Sequence, residues 1–110
     1  GLVSMRDLVF QMIRRGEDAH LTPLERVFIY LPLEHAESMA MQDLSVALYE
    51  KLAIEAPAAE RQLFDGFLDY ARKHRDVVAR FGRFPHRNEL LGRTSTAEEI
   101  EFLKQPGARF

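Results

Sequence analysis

Apolar residues in this chain recur at intervals of three and four rather than in alternation, and helix start and stop signals bracket each such run. Leu8, Val9, Met12 and Ile13 form the first stripe. Ser4, three residues ahead of Asp7, supplies a capping start, and Gly16 stops the helix just after Arg15. The second helix opens at Thr22-Pro23-Leu24-Glu25, which joins an N-cap, a proline in the first helical position and a glutamate in the third. Its apolar face is Leu24, Val27, Phe28 and Leu31, and Pro32 breaks or kinks it. A third helix runs from about Ser38 to Glu55, with Met41, Leu44, Leu48 and Leu52 turned inward. Beyond Pro57 comes the longest, about Ala58 to Phe81, whose predicted buried stripe is Leu63, Phe67, Tyr70, His74, Val78 and Phe81, with Gly82 as C-cap. Arg83 to Gly92 reads as a loop holding one short helical turn. A last helix starts at Thr96, with Glu99 as its capping partner, and ends near Pro106-Gly107.

No stretch alternates as a strand would, so the expected fold is all-α: about five helices whose short connections make antiparallel neighbours. Paired helices of this kind can stack as helical-repeat proteins do without a readable repeat, and no repeat of fixed period or low-complexity stretch occurs. The 110 residues fit a single domain, 1–110, large enough to bury roughly 65% of the unfolded surface in one core. Gly1 to Ser4 read as a cloning remnant, with Met5 as the natural start.

Composition removes several classes of chemistry. The chain has no cysteine, which excludes a disulfide scaffold, a thiolate zinc site, an iron–sulfur cluster and a cysteine nucleophile, and suits a reducing, cytoplasmic setting. The apolar run Val27 to Leu33 is far below the ~20 residues that cross a bilayer, so no membrane association is expected. There is no Gly-x-Ser-x-Gly elbow and no glycine-rich phosphate loop.

Charge points to one segment. Up to Glu55 the chain has five basic and nine acidic residues, and after it ten and eight. Arg72, Lys73, Arg75, Arg80, Arg83, Arg87 and Arg93 crowd into residues 72–93 against only Asp76 and Glu89, with His74 and His86 in the same window. Guanidinium forks match phosphates and carboxylates. Within the run Arg80 to Asn88, candidate anion-binding residues are Arg80, Arg83, His86, Arg87 and Asn88; the same arginines could instead cap helix ends and pair with Glu34, Glu37 or Asp76. His74 lies mid-stripe on the longest helix, where a histidine is either satisfied inside the core or part of a polar pocket. His35 and Glu37, at the proline break, complete a candidate polar cluster with His74. Their spacing matches no recognised metal motif, so no metal, no cofactor and no complete catalytic set is assigned. With a net charge of −2, nucleic acid is an unlikely partner.

Leu31-Pro32-Leu33-Glu34-His35-Ala36-Glu37, Gln42, His74-Arg75-Asp76, the run Phe81 to Asn88, Leu91-Gly92-Arg93, Ser95-Thr96-Ala97-Glu98-Glu99, Phe102-Leu103, Pro106-Gly107 and Phe110 together resemble the bacterial family called domain of unknown function 924. The resemblance is certain from about Leu24 to Phe110 and covers the C-terminal part of the family pattern. It implies an all-helical, tetratricopeptide-like (α-α superhelix) fold and no settled activity. Members are typically longer, with an upstream Asp-Gln-Phe-Pro-Arg-Asn segment that this chain lacks. Ala36 and Ser38 stand where the pattern has serine and aspartate, which thins the polar cluster. The expectation is a non-catalytic binding or scaffold module that self-associates or meets a protein partner. The alternative is an enzyme or binding protein for a small anionic ligand held by the loop 80–88.

Overall fold

The computed structural model describes residues 3–110; Gly1 and Leu2, half of the segment read as a remnant, lie outside the described residues. The fold is all-α, with no strand among the described residues. Helix α1 spans Met5–Arg14, α2 Pro23–Ile29, α3 Leu31–Glu34, α4 Met39–Glu55, α5 Arg61–Phe81 and α6 Ala97–Leu103, with short 3₁₀ turns at Glu17–His20, Ala58–Glu60 and Pro85–Arg87. The expected starts hold because they are local. The Ser4 hydroxyl accepts from the Asp7 amide, and Thr22 with Glu25 and Thr96 with Glu99 close reciprocal capping boxes. Gly16 and Gly82 leave their helices at φ 69° and 74°, in the left-handed region that glycine occupies without strain.

Pro32 does not bend a continuous second helix. The chain stops at Tyr30 and restarts as the single turn α3, with Pro32 in the first-turn position where its missing N–H costs nothing. A 3₁₀ turn takes the place of the first three residues expected of the longest helix.

Helices α4 and α5 run antiparallel as the spine, cross-tied by Arg72 to Glu50 and Arg75 to Asp43. Tyr30, Leu33, Tyr49, Leu52, Phe64, Leu68 and Ala71 fill the main core between them and the N-terminal helices. Val77, Val78 and Phe84 form a second core under the C-terminal segment, joined by Phe81 and Phe102.

The buried face of α5 differs from the expected stripe. Phe64, Leu68, Ala71, His74, Val77 and Val78 are buried, while Leu63 and Tyr70 face outward and Phe67 is half-buried. On α4 the fully buried positions are Gln42, Ser45, Tyr49, Leu52 and Ala53, with Met41, Leu44 and Leu48 only partly covered. On α2 Val27 is buried but Leu24 and Phe28 are exposed, and on α1 Leu8 is exposed beside buried Val9. The reason is the shape of the molecule. Its backbone extends 43 × 39 × 18 Å, too thin for helices to be covered on both sides. The radius of gyration is 15.2 Å, against about 13 Å for a compact chain of this length. The accessible surface is 7064 Å², against about 6,200 Å² for a compact monomer of this mass.

Candidate functional site

The C-terminal segment is anchored by carboxylate–guanidinium pairs. Glu37 follows the α3 turn and accepts Arg93 Nη1 and Nη2 at 2.9 and 3.0 Å, while the Phe84 amide donates to Glu37 Oε2 at 2.7 Å. Arg93 also donates through Nε to Asn88 Oδ1 at 3.0 Å, and the Asn88 amide donates to Ser95 Oγ at 3.0 Å. Arg83 grips Glu99 with Nε and Nη2 at 2.9 and 2.7 Å, and Arg80 holds Glu98 at 2.9 and 3.0 Å across the faces of Phe81 and Phe102. The Arg83 pair and the Thr96 amide bring the Glu99 carboxylate down to about 2, and the Arg93 hydrogen bonds likewise lower that of Glu37. Of the residues expected to grip an anion, Arg80 and Arg83 thus each hold a carboxylate of the chain itself, and buried Asn88 links Arg93 to Ser95.

The imidazoles do come together. The His35 and His74 ring centres are 5.6 Å apart, and Phe84 lies 5.6 Å from His74 and 5.8 Å from His86. Phe110 stacks on His74 with centroids 3.8 Å apart and planes at 19°. His74 Nδ1 lies 2.8 Å from the Tyr70 carbonyl oxygen; a carbonyl only accepts, so Nδ1 carries the proton. Burial pushes the His74 imidazole down to about 4, and burial together with the Arg87 charge lowers His35 and His86. The buried Nδ1 of His86 has no hydrogen-bond partner.

Arg87 stands apart from its neighbours in the run. Its guanidinium lies 4.7 Å from the centre of the Phe84 ring and its charge acts on all three histidines, yet it forms no ion pair among the described residues. Arg109, which the sequence reading passed over, also bears on His86. Chemically the result is a partly exposed cationic and imidazole patch beside Glu37, whose carboxylate is already bound. Among the described residues no three histidine or acidic side chains are placed to hold a metal ion.

Two further polar features had no signal in local spacing. Gln42 brackets the proline break from α4, donating Nε2 to the carbonyls of Glu34 and Ala36 at 2.6 and 2.8 Å. Glu34 is buried with Oε1 3.6 Å from His74 Nδ1, too far for a hydrogen bond, and burial lifts its carboxyl to about 7.

The hydrogen-bonded run Phe81 to Asn88, its tie through Arg93 to Glu37, and the Thr96–Glu99 box all lie within residues 4–107, which match the model for a bacterial protein of unknown function, DUF924. The chain belongs to the DUF924 family. A solved structure of a protein of unknown function from Agrobacterium tumefaciens is 40% identical and superposes with a TM-score of 0.75 over 91% of this chain. This chain spans about half, 51%, of that protein. No curated protein matches it. The DUF924 match thus extends N-terminal to Leu24, from which the resemblance in sequence runs, and takes in α1 as well.

Proposed function

We propose that this DUF924 chain is a non-catalytic helical binding module, its helix pairs stacked in tetratricopeptide fashion. Its ligand is a small phosphate- or carboxylate-bearing molecule that docks on the patch of His35, His86, Arg87 and Arg109. One observation carries this reading: Arg80, Arg83 and Arg93 are each held by a carboxylate, whereas Arg87 is paired with none among the described residues and sits among imidazoles. A guanidinium without a counter-ion beside imidazole N–H groups is a donor set for an oxyanion. A cysteine-free chain suits the cytoplasm.

The test is a thermal-shift series at fixed ionic strength with phosphate, nucleotides and small carboxylates. A ligand at a hundred times its dissociation constant adds about 2.7 kcal/mol of stability. The expected result is a rise with one anion class that Arg87→Ala abolishes without lowering the ligand-free midpoint. No rise with any anion, or one that survives in Arg87→Ala, overturns the reading.

Self-association is a second reading, supported by Val3, Met5 and Leu8, which are all exposed on one end of the molecule. Met5→Lys with Leu8→Lys is then expected to lower a concentration-dependent sedimentation coefficient. A wild-type coefficient independent of concentration rejects it.

A further inference from the structure

A cleft opens between α2, α3 and α5. Its volume is about 180 Å³. Phe28 is 62% exposed and Tyr70 43% exposed, and with half-buried Leu31 and Phe67 they form the mouth and walls. Val27, Tyr49 and Glu34, nearly fully buried, form the floor. The lining is apolar, and Glu34, only 2% exposed, lies at its floor with Oε1 buried.

Each donor near that carboxyl is directed elsewhere. The Tyr49 hydroxyl donates to the Val27 carbonyl at 2.7 Å. His74 Nδ1 donates to the Tyr70 carbonyl, and the Gln42 amide donates to the Glu34 and Ala36 carbonyls. No side chain or amide donates to the Glu34 carboxyl among the described residues, and its Oε1 is a buried acceptor without a partner. A buried carboxyl without a partner costs stability, and its energy falls once a donor reaches it. Three aromatic rings around the opening add a second, independent preference, because a π face attracts a cation.

We propose that this cleft binds a small amine with an apolar body, its ammonium group seated on the Glu34 carboxylate and its hydrocarbon part between Phe28, Phe67 and Tyr70. Charge complementarity selects the occupant: an anion meets only repulsion and unpaired oxygens here, and a neutral hydrocarbon leaves the carboxyl as it is. The cleft backs onto the imidazole patch through His74, which lies 3.6 Å from Glu34 and packs against Tyr70, but the two sites are opposite in charge, so an amine tests one and an anion the other.

The experiment uses the full chain and benzylammonium as probe, with benzoate and toluene as size-matched controls, read by aromatic chemical shifts and by calorimetry. Saturable binding of benzylammonium that moves the Phe28, Phe67 and Tyr70 signals is expected, with no comparable response to benzoate. Glu34→Gln keeps a donor-accepting oxygen and removes the charge, and it is expected to weaken binding roughly tenfold or more. Should that variant fail to fold, Phe28→Ala replaces an exposed wall residue, leaves the fold intact and weakens binding of the same probe. Equal binding of benzoate and benzylammonium, unchanged affinity in folded Glu34→Gln, or no saturable binding overturns the proposal. So do concentration-dependent shifts of Phe28 and Tyr70 that no amine displaces, which would assign the cleft to a second copy of the chain.

Discussion

Glu37 and Arg93, 56 residues apart in sequence, meet end-on through Nη1 and Nη2, oxygen to nitrogen at 2.9 and 3.0 Å, and the same carboxylate receives the Phe84 amide. Three donors on one carboxylate fix the turn after α3 to the loop after α5. The histidines, Arg87 and the C-terminal segment are therefore held in one arrangement by a contact that is itself only partly exposed.

Removing the Glu37 charge is expected to loosen this joint. Glu37→Gln keeps the shape and one acceptor but loses the charge-assisted pair, at a cost of about 2 kcal/mol. A double-mutant cycle with Arg93→Ala in urea checks it: the two single effects should add to more than the double effect. Additive effects would show that the contact contributes nothing to stability.

The two arginine pairs of α6 differ in burial and should differ in consequence. Glu98 is 65% exposed and Glu99 2% exposed. Arg80→Ala is expected to change stability by no more than roughly 1 kcal/mol. Arg83→Ala leaves the Glu99 carboxylate buried without its partner and should lower the urea midpoint distinctly further. Equal midpoints for the two variants would contradict the ranking.

Gly82 stops α5 at φ 74°, with its amide on the Val78 carbonyl at 2.7 Å. No atom lies near enough to obstruct a Cβ, so the whole effect of Gly82→Ala is backbone strain. The expected loss is roughly 1 kcal/mol, read from thermal or urea unfolding. A neutral result would show that the loop can leave the helix by another path.

Glu34 and His74 act on stability in opposite directions across the acid range, so their slopes offset each other between about pH 4.5 and 6.5. Burial raises the Glu34 carboxyl to about 7, so the folded protein keeps a proton that the unfolded chain releases above 4.5. Stability from this group is therefore lost as pH rises from about 4.5 to about 7. Burial lowers His74 to about 4, so stability is lost as pH falls from 6.5 towards 4. The titratable groups facing Glu34 are His74 from α5 and Tyr49 from α4, and Tyr49 is held neutral by burial. Urea midpoints should therefore be nearly level between about pH 4.5 and 6.5, and Glu34→Gln, which removes one of the two opposing slopes, should uncover a rise in stability with pH up to about 6.5. A profile unchanged in Glu34→Gln would show that Glu34 does not titrate on unfolding.

The site was legible in part. His74 was recognisable as an inward residue because its place on α5 is buried on either choice of face, and Glu37 because it adjoins a proline break. Arg87 was not separable from Arg80 and Arg83 in a run of equal residue types. Only their partners distinguish them, and Glu98 and Glu99 reach those arginines by the return of α6 across the end of α5. Glu34 read only as a possible partner of the arginines, because nothing in local spacing reveals that Gln42, Tyr49 and His74 all direct their donors elsewhere.

What the sequence determined by itself is the helical class and the helix ends that carry a local cap. Those features arise from contacts three or four residues apart, such as the Thr22–Glu25 and Thr96–Glu99 boxes, and from the glycines at 16 and 82. What the tertiary structure alone decided is which side of each helix is covered. In a layer 18 Å thin an apolar stripe is buried only where another helix lies on it. That left Leu63 and Tyr70 of α5 and Phe28 of α2 outside and took in Phe64, Leu68 and Ala71. Periodicity defines a stripe on one helix; the neighbouring helix, brought there by residues dozens of positions away, decides whether that stripe becomes core or surface.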